Sequence, residues 1–394
     1  MDENNNIKDI EVEGEESLNP DNEFGSAYSI EKIDIDMSYF SIYELKRKYD
    51  RSKNIDKNFS QIQKKNQIIL DSEFQREAVW KRKQQSELIE SVLIGLPIPT
   101  MYFCEDRYAN LIVVDGRQRL TAFFEFLDDK FVLSELKILK KLSGKKFSQL
   151  EPVYQSKIED YQLIIQIIKP TTPDSIKFNI FDRVNRGGTP LNNQEMRNAL
   201  YQGRSTDLLK KLSRNKKFKM ATDNGIKENR MKDKYLILRA IAFYLWMNNM
   251  IVDRRGNLIK YNGDIDDFLG KTMEYLNFAD LNILKNIEYN FILSMDIIYK
   301  ILGNNAFRIQ SENKKRLPIN MNIFEVITYI MMQILKDNKI NNLKSDNFIK
   351  DKYFNLIKNK EFLENIRNHR DSMKKVNDRF NIFARNFIEE IVND

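Results

Sequence analysis

Cysteine and histidine are almost absent: the 394 residues hold one of each, Cys104 and His369. A single cysteine excludes an intramolecular disulfide framework and a cysteine-based zinc site. A single histidine excludes a two-histidine zinc protease, and a conventional HNH nuclease site unless His369 itself serves. Cys104 is then expected to be a half-buried strand residue. Long uncharged apolar runs are missing as well. The longest, 235–247, is interrupted by Arg239 and falls short of the roughly 18 residues of a membrane span, so it reads as a buried helix. The first thirty residues carry no secretory signal pattern, which makes the cytoplasm the expected compartment.

What is present is an ordinary globular composition, 42% hydrophobic and 31% charged, with enough chain for two or three cores. The formal net charge of +7 hides an asymmetry. Residues 1–36 hold 12 acidic and 2 basic residues, net −10, which leaves +17 on the rest. A basic body attracts phosphate-rich partners, because each lysine or arginine that neutralises a phosphate releases counterions. A lysine-rich surface that is merely solvated would give the same count. The acidic segment lacks hydrophobic periodicity and is expected to be largely disordered, lying over the basic body in competition with nucleic acid.

Apolar spacing organises the remainder. Leu88, Ile89, Val92 and Leu93 predict a helix over 81–94, ended by Gly95 and Pro97. Short apolar runs at 100–104 and 111–114 predict two paired strands joined by a polar turn. Asp115 and Gly116 break the second strand, and 120–127 returns to helical spacing, giving strand, sharp turn, helix. Further strands are expected at 130–133 and 161–168. Thr172-Pro173-Asp174 opens a helix to about Asn185, and Asn192 with Glu195 forms a capping box for a helix to about Tyr201. Beyond Gly203, helices are expected at 232–250, 265–276, 283–302, 323–335 and 372–392. The predicted organisation is an acidic tail, 1–36, an α+β domain with a small mixed sheet, 37–203, and an all-helical domain, 204–394.

The turn Asp115-Gly116-Arg117-Gln118-Arg119 carries the clearest chemistry. A glycine bends the chain at a strand end, and a helix then begins with its free N–H groups pointing outward, which is an anion site by construction. Arg117 and Arg119 add forked donors that match phosphate oxygens, and Asp115 and Gln118 can orient a metal ion or a hydroxyl. The competing explanation is a structural turn whose arginines pair with nearby carboxylates. A second group, Asn185-Arg186-Gly187-Gly188, lies between two predicted helices; its glycines permit close backbone approach to a ligand, or simply a well-capped loop. A third, Gln75 and Arg76 before the first helix, could reach the same ligand. Near the C-terminus, Arg367, Arg370, Lys374, Lys375 and Arg379 fall near helical spacing, a DNA-binding face or a solvated one.

Four blocks in order, FQREAVW at 74–80, ESVLIGLPIP at 90–99, VVDGRQRL at 113–120 and FDRVNRGGTPLNNQEMRNAL at 181–200, resemble the signature of the GmrSD-type restriction endonuclease N-terminal domain. That family is related to the ParB and sulfiredoxin fold. The resemblance spans roughly 71–333 and is strong in its first half. It implies a nucleoside triphosphate (NTP)-binding, often NTP-hydrolysing module in defence against phage DNA, with Asp115 to Arg119 standing at the family's DGQQR nucleotide motif. Arg117 replaces the usual central glutamine, which adds a charge. Asp115, Gln118 and Arg119 would be catalytic, Asp115 would hold Mg2+, and Gln75, Arg76, Gly116, Arg117 and Asn185, Arg186, Gly187 and Gly188 would help to hold the nucleotide. No HNH-type domain is evident, and His369 is expected to be surface or DNA-facing. The implied function is a switch or sensor acting with DNA and a separate nuclease. The alternatives are a DNA-binding module without turnover and a ParB-like metal-dependent nuclease.

Overall fold

The computed structural model describes residues 12–13, 33–53, 66–70, 80–106, 109–184, 192–226, 229–309, 317–367 and 371–393. The chain divides into two compact units, Gly25–Leu191 and Asn192–Asp394, the second also including the two-residue strand β1, Val12–Glu13.

The first unit is α+β. It begins with β2 (Ile35–Ser41) and α1 (Ile42–Lys53), followed by β3 (Ile68–Ile69). Helix α2 (Arg82–Ile94) forms where the apolar spacing predicts it. The Lys81 N–H is held by the Gln84 side chain at 2.9 Å, and Gly95 closes the helix in the left-handed conformation, φ +83°. Strands β4 (Met101–Glu105) and β5 (Leu111–Asp115) pair antiparallel as expected, and α3 (Arg117–Leu127) follows the turn directly. After α4 (Pro152–Glu159), β6 (Gln162–Ile168) runs parallel to β4, and α5 (Asp174–Val184) completes the unit. The mixed sheet has the order β2-β6-β4-β5-β3.

Alternation along the strands sets the core. Leu163, Ile165 and Ile167 of β6 and Met101 and Phe103 of β4 meet Ile89 and Val92 of α2 and Leu120 and Phe123 of α3 in one buried cluster. Each large side chain buried there contributes about 1.5–3 kcal/mol. On the opposite face α5 contacts β5, and Cys104, Ile112 and Ile168 are buried. Cys104 is therefore a buried strand residue, not a half-buried one.

One expectation needs correction here. Residues 130–133 form no strand; Phe131 and Leu133 are buried and Val132 exposed, which is strand-like alternation, but no ladder forms: Lys130 N–H bonds back to the Glu125 carbonyl, and Leu133 bonds Lys145 and Gly144. The burial comes from packing on the α3 side of the core, where Phe126 meets the Phe131 ring at 5.2 Å. Within the acidic segment, β1 pairs with a strand of the second unit and β2 begins at Ile35, while residues 1–11 and 14–32 lie outside the described residues.

The second unit is helical apart from the pairing of β1 with β7 (Ile319–Asn320). Its elements are α6 (Asn193–Leu200), α7 (Arg204–Ser213), α8 (Lys216–Ala221), α9 (Lys232–Met247), α10 (Ile265–Phe278), α11 (Leu281–Leu302), α12 (Met321–Lys336), α13 (Asp346–Leu356) and α14 (Lys360–Arg367). The predicted capping box at α6 is formed: the Asn192 side chain accepts from Glu195 N–H, and the Glu195 carboxylate accepts from Asn192 N–H, both at 2.8 Å. Helix α9 is the buried helix expected of the 235–247 run. The helix expected over 372–392 runs without interruption from Met373 to Ile391, as α15 (Met373–Asn377), a π-helical segment (Asp378–Ala384) and α16 (Arg385–Ile391). Glycine and proline are absent from the π segment. It coincides with Arg379, which is turned into the core.

Candidate functional site

The site grows from the end of β5. Phe103, Cys104 and Glu105 of β4 oppose Val113, Ile112 and Leu111, and the register then shifts, so that Tyr102 opposes Asp115. Without that extra residue Tyr102 would face Val114. A bulge of this kind re-aims the side chains at a strand end. Gly116 then takes φ +98°, and a Cβ there would lie 2.6 Å from Met101 Cγ and 2.7 Å from its Sδ. Both the conformation and the contact demand glycine.

Helix α3 starts at Arg117, its ladder opening with Leu120 N–H to the Gly116 carbonyl at 2.9 Å, and its N-cap residue, Gly116, has no side chain with which to cap it. The first N–H groups of an α-helix have no partner in the helix ladder and carry partial positive charge. Arg119, one turn along, donates to the Asp115 carboxylate at 2.6 Å and to the Pro99 carbonyl. Its side chain keeps 12% of its exposure and that of Asp115 keeps 31%. Arg117 is half-buried and Gln118 exposed. The turn thus gathers Asp115, Gly116, Arg117, Gln118 and Arg119 around one helix start, with Arg119 tied in place by two acceptors. Among the described residues no group of three or more histidine, cysteine, aspartate or glutamate side chains is placed to hold a metal.

Of the other expected site residues, Gln75, Arg76, Asn185, Arg186, Gly187, Gly188, His369 and Arg370 lie outside the described residues, as does the Arg367 side chain. Lys374 is exposed and Lys375 half-buried on α15. Arg379 is no part of a DNA-facing stripe: it is fully buried and donates to Asp371 at 3.0 Å.

Arg379 belongs to a cluster that sequence reasoning missed. Arg239 of α9 pairs with Glu325 of α12 and, at 2.8 Å, with Asp371, while Arg379 stands 3.9 Å from Glu325. Burial alone would raise the Asp371 carboxyl, but the two guanidinium groups outweigh it and bring its pKa down to about 2. Burial pushes the Glu325 carboxyl up despite its arginine neighbours. The sequence signal was Arg239 inside an apolar run, which needs a buried partner to be tolerated.

No helix among the described residues is long and apolar enough to cross a membrane. No curated protein matches the chain, and no solved structure does. Residues 55–202 match the family model described as GmrSD restriction endonuclease, N-terminal domain, a span that includes β4, β5, the turn and α6. The chain therefore carries a GmrSD N-terminal domain, the mark of a restriction-system component, with the Asp115 to Arg119 turn inside it.

Proposed function

We propose that the Asp115 to Arg119 turn binds the triphosphate of a nucleotide, and that the chain is a nucleotide-dependent sensor or switch acting on DNA with a separate nuclease. The observation that carries this reading is the start of α3 at a left-handed Gly116 beside an arginine fixed by Asp115 and Pro99. Backbone N–H groups at a helix start and a guanidinium of set orientation are complementary to phosphate oxygens. Arg119 has N–H groups beyond the two it uses internally, and Arg117 adds a second charge at the same end.

The donor set suits magnesium only in its usual nucleotide mode, with Asp115 and phosphate oxygens as ligands. Bound there, the ion would neutralise charge on the terminal phosphates. The residues of the chain would do the rest: the helix start and Arg117 hold the phosphates, Arg119 stabilises charge on the transferring group, and Gln118 orients the attacking water. Asp115 would have to divide its oxygens between the ion and Arg119, so nucleotide arrival and the Arg119 position are coupled. A metal-dependent nuclease centred on Asp115 has less support, because the described residues offer no group of three or more carboxylate, histidine or cysteine side chains that could hold a metal there.

Phosphate release from ATP, GTP, CTP and UTP, with magnesium and with or without duplex DNA, tests the function. The switch reading expects release from at least one nucleotide, changed by DNA. Nucleotide binding without release leaves a sensor without turnover, and absence of both leaves the DNA-binding module.

A further inference from the structure

Beyond the turn, the face of the sheet opposite the main core carries a row of four residues. The strand registers set Met37 of β2 opposite Gln166 of β6, Gln166 opposite Tyr102 of β4, and Tyr102 opposite Asp115 of β5. Directly opposed residues share a face of the sheet. Neighbouring strands lie about 5 Å apart, so Tyr102 and Gln166 stand about 5 and 10 Å from Asp115, the span of a nucleoside. Met37 is 56% exposed, and the other three are half-buried, unlike the row beside them, where Cys104, Ile112 and Ile168 are buried. The Tyr102 hydroxyl and the Gln166 amide have no hydrogen bond among the described residues, and neither residue is needed by the core on the other face. The β4–β5 bulge is what brings this row into line with Asp115.

We infer that this row is the nucleoside subsite of the phosphate site: the base lies against the Tyr102 ring, and the Gln166 side chain reads its edge and sets base preference. The inference rests on the phosphate-binding reading of the turn and extends it to the rest of the ligand. An aromatic ring offers stacking to any base, so Tyr102 supplies affinity. A primary amide presents a donor and an acceptor side by side, which is the pattern used to tell base edges apart, so Gln166 supplies discrimination. Met37 closes the far end of the row with an adaptable apolar surface.

The test is equilibrium binding of ATP, GTP, CTP, UTP and inorganic tripolyphosphate, with magnesium, to the full chain and to Tyr102→Ala, Tyr102→Phe and Gln166→Leu. The wild type should bind one nucleotide at least about 10-fold more tightly than tripolyphosphate. Tyr102→Ala should erase that margin and Tyr102→Phe should keep it; Gln166→Leu should flatten the ranking of the four bases. Tripolyphosphate affinity should be the same in all four proteins. Equal binding of nucleotides and tripolyphosphate by the wild type overturns the inference while leaving the phosphate site standing, as does an unchanged base ranking in Gln166→Leu. If tripolyphosphate and all four nucleotides fail to bind, the phosphate site falls and the inference with it.

Discussion

Arg119 and Asp115 sit one helical turn apart and are joined by a 2.6 Å hydrogen bond, with a second N–H of the same guanidinium on the Pro99 carbonyl. The arrangement ties the end of β5, the start of α3 and the approach to β4 to a single side chain. A half-exposed ion pair adds at most about 1 kcal/mol to stability, so its main effect is to fix where the charge points.

Gly116 makes that geometry possible. In Gly116→Ala the left-handed backbone is strained and the new Cβ meets the Met101 side chain. The expected cost is about 1–3 kcal/mol, read as a lower urea midpoint at unchanged slope, together with loss of nucleotide binding. An unchanged midpoint would show that the turn adopts another conformation.

Glu90 anchors the segment beyond α3 from a distance. Its buried carboxylate accepts from the backbone N–H groups of Lys137, Ile138 and Leu139, at 3.1, 2.8 and 2.7 Å. Burial would raise its pKa, but the three N–H donors more than compensate and hold it below the ordinary value of 4.5. A depressed carboxyl stabilises the fold above its unfolded pKa, and that contribution fades as pH falls through the folded one. Glu90→Gln should therefore cost about 1–3 kcal/mol at pH 7, and its gap from the wild type should narrow as the pH drops below 4.5. Stability curves at several pH values check this; a gap of constant size would contradict it.

In the helical unit, Arg239→Met and Glu325→Met should each cost about 3–5 kcal/mol, because each strands a buried charge. The double variant removes one charge of each sign and leaves Arg379 on Asp371, at 3.0 Å. It should lose less than the two single variants combined, with the difference measured by a double-mutant cycle. Asp371, with its pKa near 2, should keep its share of this stability at neutral pH and give it up only as pH falls toward that value.

Much of the site was legible because local rules govern it. A glycine between a strand and a helix, arginines at the helix start, and the Asn192 and Glu195 box are all signals within a few residues, and each appears where expected. What could not be read depends on distant pairing. Tyr102 and Gln166 become neighbours only because β6 runs parallel to β4, across 64 residues of chain. Val132 and its buried neighbours imitate a strand because helix packing can bury alternate residues without a sheet partner. Arg379 reads as surface charge by spacing, and only Asp371 and Glu325 in three dimensions explain why it is inside. The first strand and helix of the sheet unit, β2 and α1, were missed for a related reason. The edge position of β2 leaves Ile35, Met37 and Tyr39 exposed, so the strand has no clean inside face to recognise.

The most direct test of the central claim is nucleotide affinity, measured by titration with magnesium, in the wild type and in Arg119→Ala, with thermal melting of both proteins alongside. The account predicts a variant that melts cooperatively within a few degrees of the wild type and binds the nucleotide about 10- to 100-fold more weakly, the loss expected for a charge-assisted contact to phosphate. A folded Arg119→Ala protein with undiminished affinity would mean that the guanidinium serves only Asp115 and Pro99, and that the turn is structural.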